Sequence, residues 1–599
     1  MISADIVIID SGVDRATANL EKVVGGCSVI SGTVSLDKFE DAVGHGTAIA
    51  SLFMRLLPEA NLFIIKVFHE NKKVTTDDII TALEYISDHV ECGVVNLSFG
   101  VRACTDVNRL YNACEKVASR GTILVAAFDN MGAVSYPAAF DNVIGVDYTY
   151  GITSYKEFEF VENSIVNIRG TIKEQWIPWL NGKRTLLQGS SFLAPHISAF
   201  VFQDVNSDTS LRHALNRLRQ RAAHVVEVKK QTAIPQIFPI RKAICFPYNK
   251  EMHGVSRYAS LLTFQVSGYF DSRYSGRVGS LVNGVDASVA IQNYKVIDWD
   301  ADFDTLILGH TNEMAAALGT DVALELLSEC IRHKKSVVCF DNIHLTAEVE
   351  ALFEAEGLST YCPTITPEHI NYSTFGKLYS LAAPVLSIFG TSMRQGKFSL
   401  QLTLRDLFTS QGYDVGQLGT EPTSSLFGLD RCYPMGYNSF DEMTSQQRIL
   451  IINKMLADID SKGPDIIITG AQSHTIPPST TNVSGIPTSQ QDIIFAAKPD
   501  CCILCVNASD DVQYVNRTIK YIEALSNAEV IALVLSPVHG VAKWTILGGS
   551  SEGNTQLVDS EIRSATKALQ EGTNKPIYAF DDEPLQKLYD AIIDYLSED

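Results

Sequence analysis

The sequence predicts an α/β protein built on parallel sheets and divided into several domains, and three observations carry that expectation. Short β-branched runs, such as residues 5–9 and 530–535, alternate with stretches of helical periodicity along almost the whole chain, the pattern of repeated strand–helix–strand units. The chain has 599 residues, too many for a single hydrophobic core. Polar or glycine-rich loops follow several apolar strands and open helices, as at Gly189 and Gly390, which is where parallel sheets carry their functional groups.

Three blocks follow from this alternation. The first, residues 1–205, holds strands near 5–9, 62–67, 93–97, 123–127 and 143–146, with helical periodicity over 77–90 and 108–119. Residues 206–239 contain a basic stretch over 211–221 and an exit with Pro235 and Pro239, and read as a helical linker. The second block, 240–378, offers strands at 242–246, 295–298, 305–308 and 336–340. The third, 379–599, opens on the apolar run 384–390 and shows no internal repeat.

Composition excludes several classes. The longest apolar runs fall far short of the roughly 20 residues a membrane helix needs, so no membrane partner is expected. A net charge of −21 argues against nucleic acid, which demands clustered Lys and Arg, and is compatible with attraction of basic peptide segments. Met1-Ile2-Ser3-Ala4 runs straight into the first strand, leaving no room for a secretory signal or a propeptide. Twelve cysteines are scattered, many in apolar runs, such as Cys245 and Cys339; buried thiols of this kind suit a reduced, cytoplasmic compartment. Cys501 and Cys505 fall on one face of a strand, but no second Cys/His pair has zinc-site spacing, and no metal is expected there. Nothing in the pattern fixes an oligomeric state.

Chemistry concentrates in three segments of the first block. Ile8-Ile9-Asp10-Ser11-Gly12 ends a buried strand on a carboxylate; Gly44-His45-Gly46-Thr47 leads into a small-residue helix; Gly189-Ser190-Ser191-Phe192-Leu193-Ala194-Pro195-His196 is a glycine turn opening another helix. A serine hydroxyl is a poor nucleophile until a histidine accepts its proton, and that histidine needs a carboxylate to fix its tautomer and stabilise the imidazolium. A serine at a helix start also gains from the positive end of the helix dipole. The chain order Asp10, His45, Ser191 is one of the known orders of this constellation. A fourth segment, residues 121–130, is a buried strand followed by Asn130, whose amide suits donation to a tetrahedral oxyanion.

These motifs resemble the subtilisin (S8) family of serine proteases, with its Asp-(Ser/Thr)-Gly, His-Gly-Thr and Gly-Thr-Ser-Met-Ala-x-Pro-His signatures, over residues 5 to about 203. The resemblance implies that Asp10, His45 and Ser191 are catalytic and that Asn130 binds the oxyanion. It also implies that Ser98, Phe99 and Gly100 pair with an extended substrate, with Ala127, Phe128 and Asp129 at the primary specificity pocket. The sequence departs from the family at Ala48, where a second histidine is common, at Ser190-Ser191-Phe192-Leu193, and at Phe128-Asp129. Two specificities stay open: Asp129 favouring Lys or Arg before the cut, or Phe128 narrowing the pocket for a small residue.

Gly390-Thr391-Ser392-Met393-Arg394-Gln395-Gly396-Lys397-Phe398-Ser399 lies between a strand and a helical run, the context of a phosphate-binding loop. Gly390, Thr391, Gly396, Lys397 and Ser399 are therefore candidates for holding ATP or GTP with Mg²⁺. The usual spacing is missed by one, and Phe398 stands where a Ser or Thr would hold the metal. Ser399 replaces that hydroxyl only if the helix starts differently. An ordinary strand-to-helix turn is the competing reading. Residues 240–599 resemble a group with a Rossmann-like domain followed by a P-loop NTPase-like domain, similar to accessory proteins encoded with ribosomally made, modified peptides, including some clostridial bacteriocin systems.

The fold class expected is thus a subtilisin-like parallel-sheet protease domain followed by a Rossmann-like and a P-loop NTPase-like α/β domain. The leading function is a cytoplasmic endopeptidase that removes the leader from a modified precursor peptide. The competitors are a nucleotide-gated regulatory protease and a peptide-binding scaffold with an inactive protease domain.

Overall fold

The computed structural model describes residues 1–599 apart from 18–19, 70–73, 103, 105, 205–209, 283, 285–288, 312–313, 315–318, 342–344, 436–442, 478–485, 487–488, 537, 542–552, 581 and 598–599. The chain divides into two compact units, residues 1–231 with 371–382, and residues 232–370 with 383–599.

In the first unit, ten strands among the described residues form one sheet. Their order is His224–Glu227, Phe158–Glu162, Ile168–Gly170, Ile144–Tyr148, Ile123–Ala127, Val94–Leu97, Ile6–Asp10, Leu62–Lys66, Val23–Ile30, Thr33–Leu36. The stretch from Ile144–Tyr148 to Val23–Ile30 is parallel throughout. Such strands are covered on both faces and so read as unbroken apolar runs. Ile6 and Ile8 enter one core, packed with residues of the helices His45–Leu56 and Ser190–Asp204. Val7 and Ile9 enter the opposite core, under the helices Thr76–His89 and Val107–Ala118. Thr75 and Asp78 close a capping box at the start of the third of these helices, satisfying amides that otherwise lack partners.

Part of the stretch expected as a linker belongs to this unit. Residues 205–209 lie outside the described residues, but Leu211–Arg221 is a helix and His224–Glu227 pairs with Phe158–Glu162 at the sheet edge. Leu211, Ala214, Leu215 and Leu218 share one helix face and pack on the first core, the i, i+3, i+4, i+7 spacing of an amphipathic helix. Arg219 bonds Glu162 at 2.5 Å, and Arg221 lies 3.7 Å over the Phe200 ring of the same core. Residues 371–382, which span the expected boundary between the second and third blocks at 378/379, also belong here.

The second unit holds two parallel sheets. The first runs Gln292–Asn293, Gln265–Asp271, Lys242–Phe246, Thr305–Leu308, Ser336–Cys339, Thr360–Tyr361, the doubly wound order in which strands are added on both sides of the first. No strand forms at 295–298; Tyr294–Val296 is a 3-10 turn instead. Asn293 accepts from the Lys295 amide and Asp298 from the Asp300 amide, and such local side-chain bonds compete with a ladder. The second sheet runs Arg431–Cys432, Val415–Gly419, Ile466–Gly470, Val385–Gly390, Cys501–Val506, Glu529–Leu535, Ile577–Ala579. Cys501 and Cys505 share one face of it and enter the same core, and burial pushes both thiols up to about 12. Tyr361 and Ser425 hydroxyls meet at 2.6 Å between the two sheets.

Candidate active site

Asp10 ends the strand Ile6–Asp10, and His45 begins the helix His45–Leu56. The backbone brings them together. Ser11 donates its amide to Asp10 Oδ1 at 2.7 Å, and Gly46 donates its amide to Ser11 Oγ at 2.8 Å. A Cβ at position 46 would stand 2.3 Å from the Gly12 carbonyl oxygen, so only glycine lets the helix start abut the strand end. His45 Nδ1 then lies 2.9 and 3.0 Å from the two Asp10 oxygens. That carboxylate is 1% exposed, while 29% of the His45 side chain remains open.

Asp41, which the sequence reading passed over, holds the helix start from beneath. Its Oδ1 accepts from the amides of Val43 and Gly44, and its Oδ2 from the amide and hydroxyl of Thr47. Its sequence signal is an acid four residues ahead of the histidine, at the N-terminus of a helix. Burial pushes the His45 imidazole down, but the charge and hydrogen bond of Asp10, helped by the charge of Asp41, outweigh it and hold the ring above its ordinary value. The site's other histidine behaves oppositely: burial and Arg55 push His196 down to about 4, and its ring stacks on Tyr155 at 4.5 Å.

Ser191 is the second residue of the helix Ser190–Asp204 and is 7% exposed. Its neighbour Phe192 packs against the His45 ring, with centroids 5.2 Å apart. Ser190 fixes the fourth group. Its amide donates to Asn130 Oδ1 at 2.9 Å, and its Oγ lies 2.9 Å from the same oxygen and 2.6 Å from the Phe128 carbonyl oxygen. With Oδ1 committed as acceptor, Asn130 presents Nδ2 as its donor, and that nitrogen lies 3.0 Å from where a Cβ on Gly189 would stand. The amide donor therefore sits at the turn that delivers Ser191, as an oxyanion donor must.

The expected substrate-binding residues cluster around the same strand ends. Ser98 Oγ accepts from Asn96 Nδ2 at 2.9 Å, and Phe99 packs edge-on against Phe68 at 5.0 Å. Gly100 follows them directly. Ala127 closes its strand, and Phe128 is 1% exposed, its ring in the core with Leu97 and Ala126. The Asp129 carboxylate accepts from the Met131 amide at 3.0 Å and lies 4.0 Å from Arg102 Nε.

In the second unit, Gly390 ends a strand and Lys397 begins the helix Lys397–Ser410. Lys397 Nζ donates to the Ser392 carbonyl at 2.7 Å. Gln395 Nε2 donates to Thr391 Oγ1 at 2.6 Å, Gln395 Oε1 accepts from the Ser392 amide at 2.9 Å, and Thr391 also bonds Asp510. Burial holds the Asp510 carboxyl above its ordinary value, against opposing hydrogen bonds from Asn507 and Thr391. Gly396 adopts φ +83° as the helix cap. Because the helix starts at Lys397, Phe398 follows the lysine directly and Ser399 is third. Phe398 packs against Phe427, with centroids 5.7 Å apart. Loop amides and a lysine fit a phosphate; the position after the lysine is spent on packing and offers no metal ligand.

Two family models match the chain. Residues 4–213 match the subtilase family, and residues 373–584 match a domain of unknown function, DUF1611_C, described as a P-loop domain. The chain thus carries a subtilase-family serine protease domain, and in the same polypeptide a P-loop domain. Among solved structures it is similar to a DUF1611 family protein from Anabaena variabilis, at 15% identity and TM-score 0.43, covering 60% of this chain and 100% of that one. It is similar also to the S41 psychrophilic protease, at 20% identity and TM-score 0.31, covering 38% and 87%. A cold-adapted subtilisin-like serine proteinase is 20% identical with TM-score 0.31, covering 37% and 82%. No curated protein matches the chain. Among the described residues, no helix is long and apolar enough to cross a membrane.

Proposed function

We propose that this chain is a serine endopeptidase that cuts a precursor peptide, with Ser191 as nucleophile, His45 as general base and acid, and Asp10 and Asn130 as their electrostatic partners. The observation that carries the reading is the pairing of His45 with both oxygens of Asp10, in a site where Ser190 fixes the Asn130 amide. In the acylation step, Ser191 Oγ attacks the scissile carbonyl carbon as its proton passes to His45 Nε2. Asn130 Nδ2 stabilises the oxygen that becomes negative, and His45 returns the proton to the leaving amine. Water then repeats the sequence against the acyl-enzyme. Asp10 stays ionised and holds the imidazole tautomer.

The client we propose is a ribosomally made, modified peptide whose leader is removed in the cytoplasm. Twelve free cysteines support a reducing compartment, and the overall charge of −21 supports a basic client. Gly390, Thr391, Gly396 and Lys397 are the residues that would hold the phosphates of ATP or GTP. Lys397 supports a second reading, a protease gated by nucleotide, because its ammonium is buried in the loop. Incubating the full chain with candidate precursor peptides, with and without ATP or GTP, and reading products by mass spectrometry tests both. Site-specific cleavage that Ser191→Ala abolishes supports the protease. A nucleotide effect that Lys397→Ala removes supports gating, and no cleavage of any candidate peptide argues against maturation.

A further inference from the structure

Nucleotide chemistry in a phosphate-binding loop relies on a divalent cation that bridges phosphate oxygens. A hydroxyl after the loop lysine and an acid at the end of a neighbouring strand hold that cation. Neither donor is in place here. Phe398 stands after Lys397 and packs on Phe427. Ser399 comes two residues after the lysine, about 200° around the helix from it, so its side chain leaves on the opposite side.

The neighbouring strands give no acid in that position either. The strand Val385–Gly390 lies between Ile466–Gly470 and Cys501–Val506, and Gly470 pairs in register with Ile388. A Cβ at Gly470 would stand 2.1 Å from Gln401 Nε2, so no side chain can project from this strand end towards the helix. The chain beyond it stays at the loop. Thr475 donates its amide and its hydroxyl to the Gly390 carbonyl, each at 2.9 Å. The Tyr514 hydroxyl lies 2.8 and 2.7 Å from the carbonyl oxygens of Thr391 and Ile476. From Ile466 to Gln491 the sequence contains no Asp or Glu, and Asp492 is 2% exposed and paired with Arg448 at 2.6 Å. Glu421 follows the strand Val415–Gly419, which Ile466–Gly470 separates from the loop's own strand. On the other flank, Asp510 is engaged by the Thr391 hydroxyl at the base of the loop and by the Asn507 amide at 2.8 Å.

Neutral amides stand where acids would be needed. Gln401 is one turn beyond Lys397 on the same helix face, is 1% exposed, and its Oε1 makes no hydrogen bond. Mg²⁺ is held through carboxylates and phosphate oxygens, and the Gln401 carboxamide brings no charge to offset it. A phosphate needs less: backbone amides, a helix N-terminus and an ammonium.

We propose that this loop takes a nucleotide or other phosphate ester as the metal-free anion and holds it without hydrolysis, so that any gating of the protease follows occupancy and not turnover. The inference rests on the nucleotide reading above. With no cation across the phosphates, the charge of a transferring phosphoryl group falls on one ammonium and the loop amides, which removes the main electrostatic support of the transfer.

The test titrates the full chain calorimetrically with ATP, GTP and pyrophosphate, in EDTA and in excess Mg²⁺, and follows phosphate release in the Mg²⁺ buffer. Affinity in EDTA should equal or exceed that in Mg²⁺, and Lys397→Ala should lower it about tenfold or more; Lys397→Met takes its place if the alanine variant does not fold. Phosphate release from wild type should be no faster than from the lysine variant. Tighter binding in Mg²⁺, or phosphate release that the lysine variant abolishes, overturns the metal-free assignment and leaves nucleotide binding standing. Binding that the lysine variant leaves unchanged overturns the assignment to this loop. No binding of any probe in either buffer overturns the nucleotide reading itself, and the inference with it.

Discussion

Two helices in this chain begin at the end of a parallel strand, one at His45 and one at Lys397, and the two starts are built differently. Around His45 the polar groups hold one another: Asp10 bonds the imidazole, Asp41 accepts from the helix amides, and the Ser190 amide donates to Asn130. Around Lys397 the loop bonds inward, with Lys397 on its own Ser392 carbonyl and Gln395 on Thr391. The first arrangement is preorganised for a charge that develops during a reaction. The second would have to surrender internal bonds to take a phosphate, and spends the position after its lysine on an aromatic contact with Phe427. Similar strand-to-helix turns thus suit the proposed catalysis in one place and, at the other, the proposed phosphate binding alone.

The largest expected effect separates the two sites. Ser191→Ala should lower peptide turnover by about 10⁶-fold while leaving nucleotide affinity, read by calorimetry, as in wild type. Asp10→Asn should cost about 10⁴-fold in kcat and should also move the pH profile. Neutral His45 is the active base, and its ring is held above the ordinary histidine range, so kcat/KM falls as pH drops through that raised value. Losing the Asp10 charge should shift this acid limb to lower pH.

Asn130→Ala should reduce kcat by about 10²–10³-fold with little change in KM. Asp41→Ala removes the acceptor of several buried bonds at the start of the helix and should cost about 3 kcal/mol of stability in denaturant unfolding. The smallest effect is expected at the loop, where Lys397→Ala should weaken ATP or GTP binding about tenfold or more without slowing fluorophosphonate labelling of Ser191. Equal damage to both activities would erase the contrast between the sites.

The protease strands were legible because each is a short apolar run closed by a chemically distinctive turn, as Ile6–Asp10 is by Ser11 and Gly12. The triad candidates were legible from residue type and order alone. Asp41 was not, because an acid near a helix start is ordinary until its several hydrogen bonds are seen. Ser190 read as a variant of a motif, yet its amide and hydroxyl are what orient Asn130. Lys377 gave no signal: a lysine after Phe375-Gly376 in a polar stretch looks solvated, and only the return of the chain to Asp147 buries it. The helix Leu211–Arg221 was visible, but its attachment to the first core depends on a long-range contact that local pattern does not encode. At 295–298 a short β-branched run suggested a strand, and the flanking Asn293 and Asp298 side chains accept nearby amides instead.

The central claim is that Ser191, activated by His45, is the nucleophile of a working protease. Intact-mass and peptide-mapping mass spectrometry of the full chain after fluorophosphonate treatment addresses it most directly. A nucleophilic Ser191 gives one adduct, on the peptide containing Ser191, absent in Ser191→Ala and strongly slowed in His45→Ala. No adduct on the folded wild type, or an adduct that persists in Ser191→Ala, would contradict it.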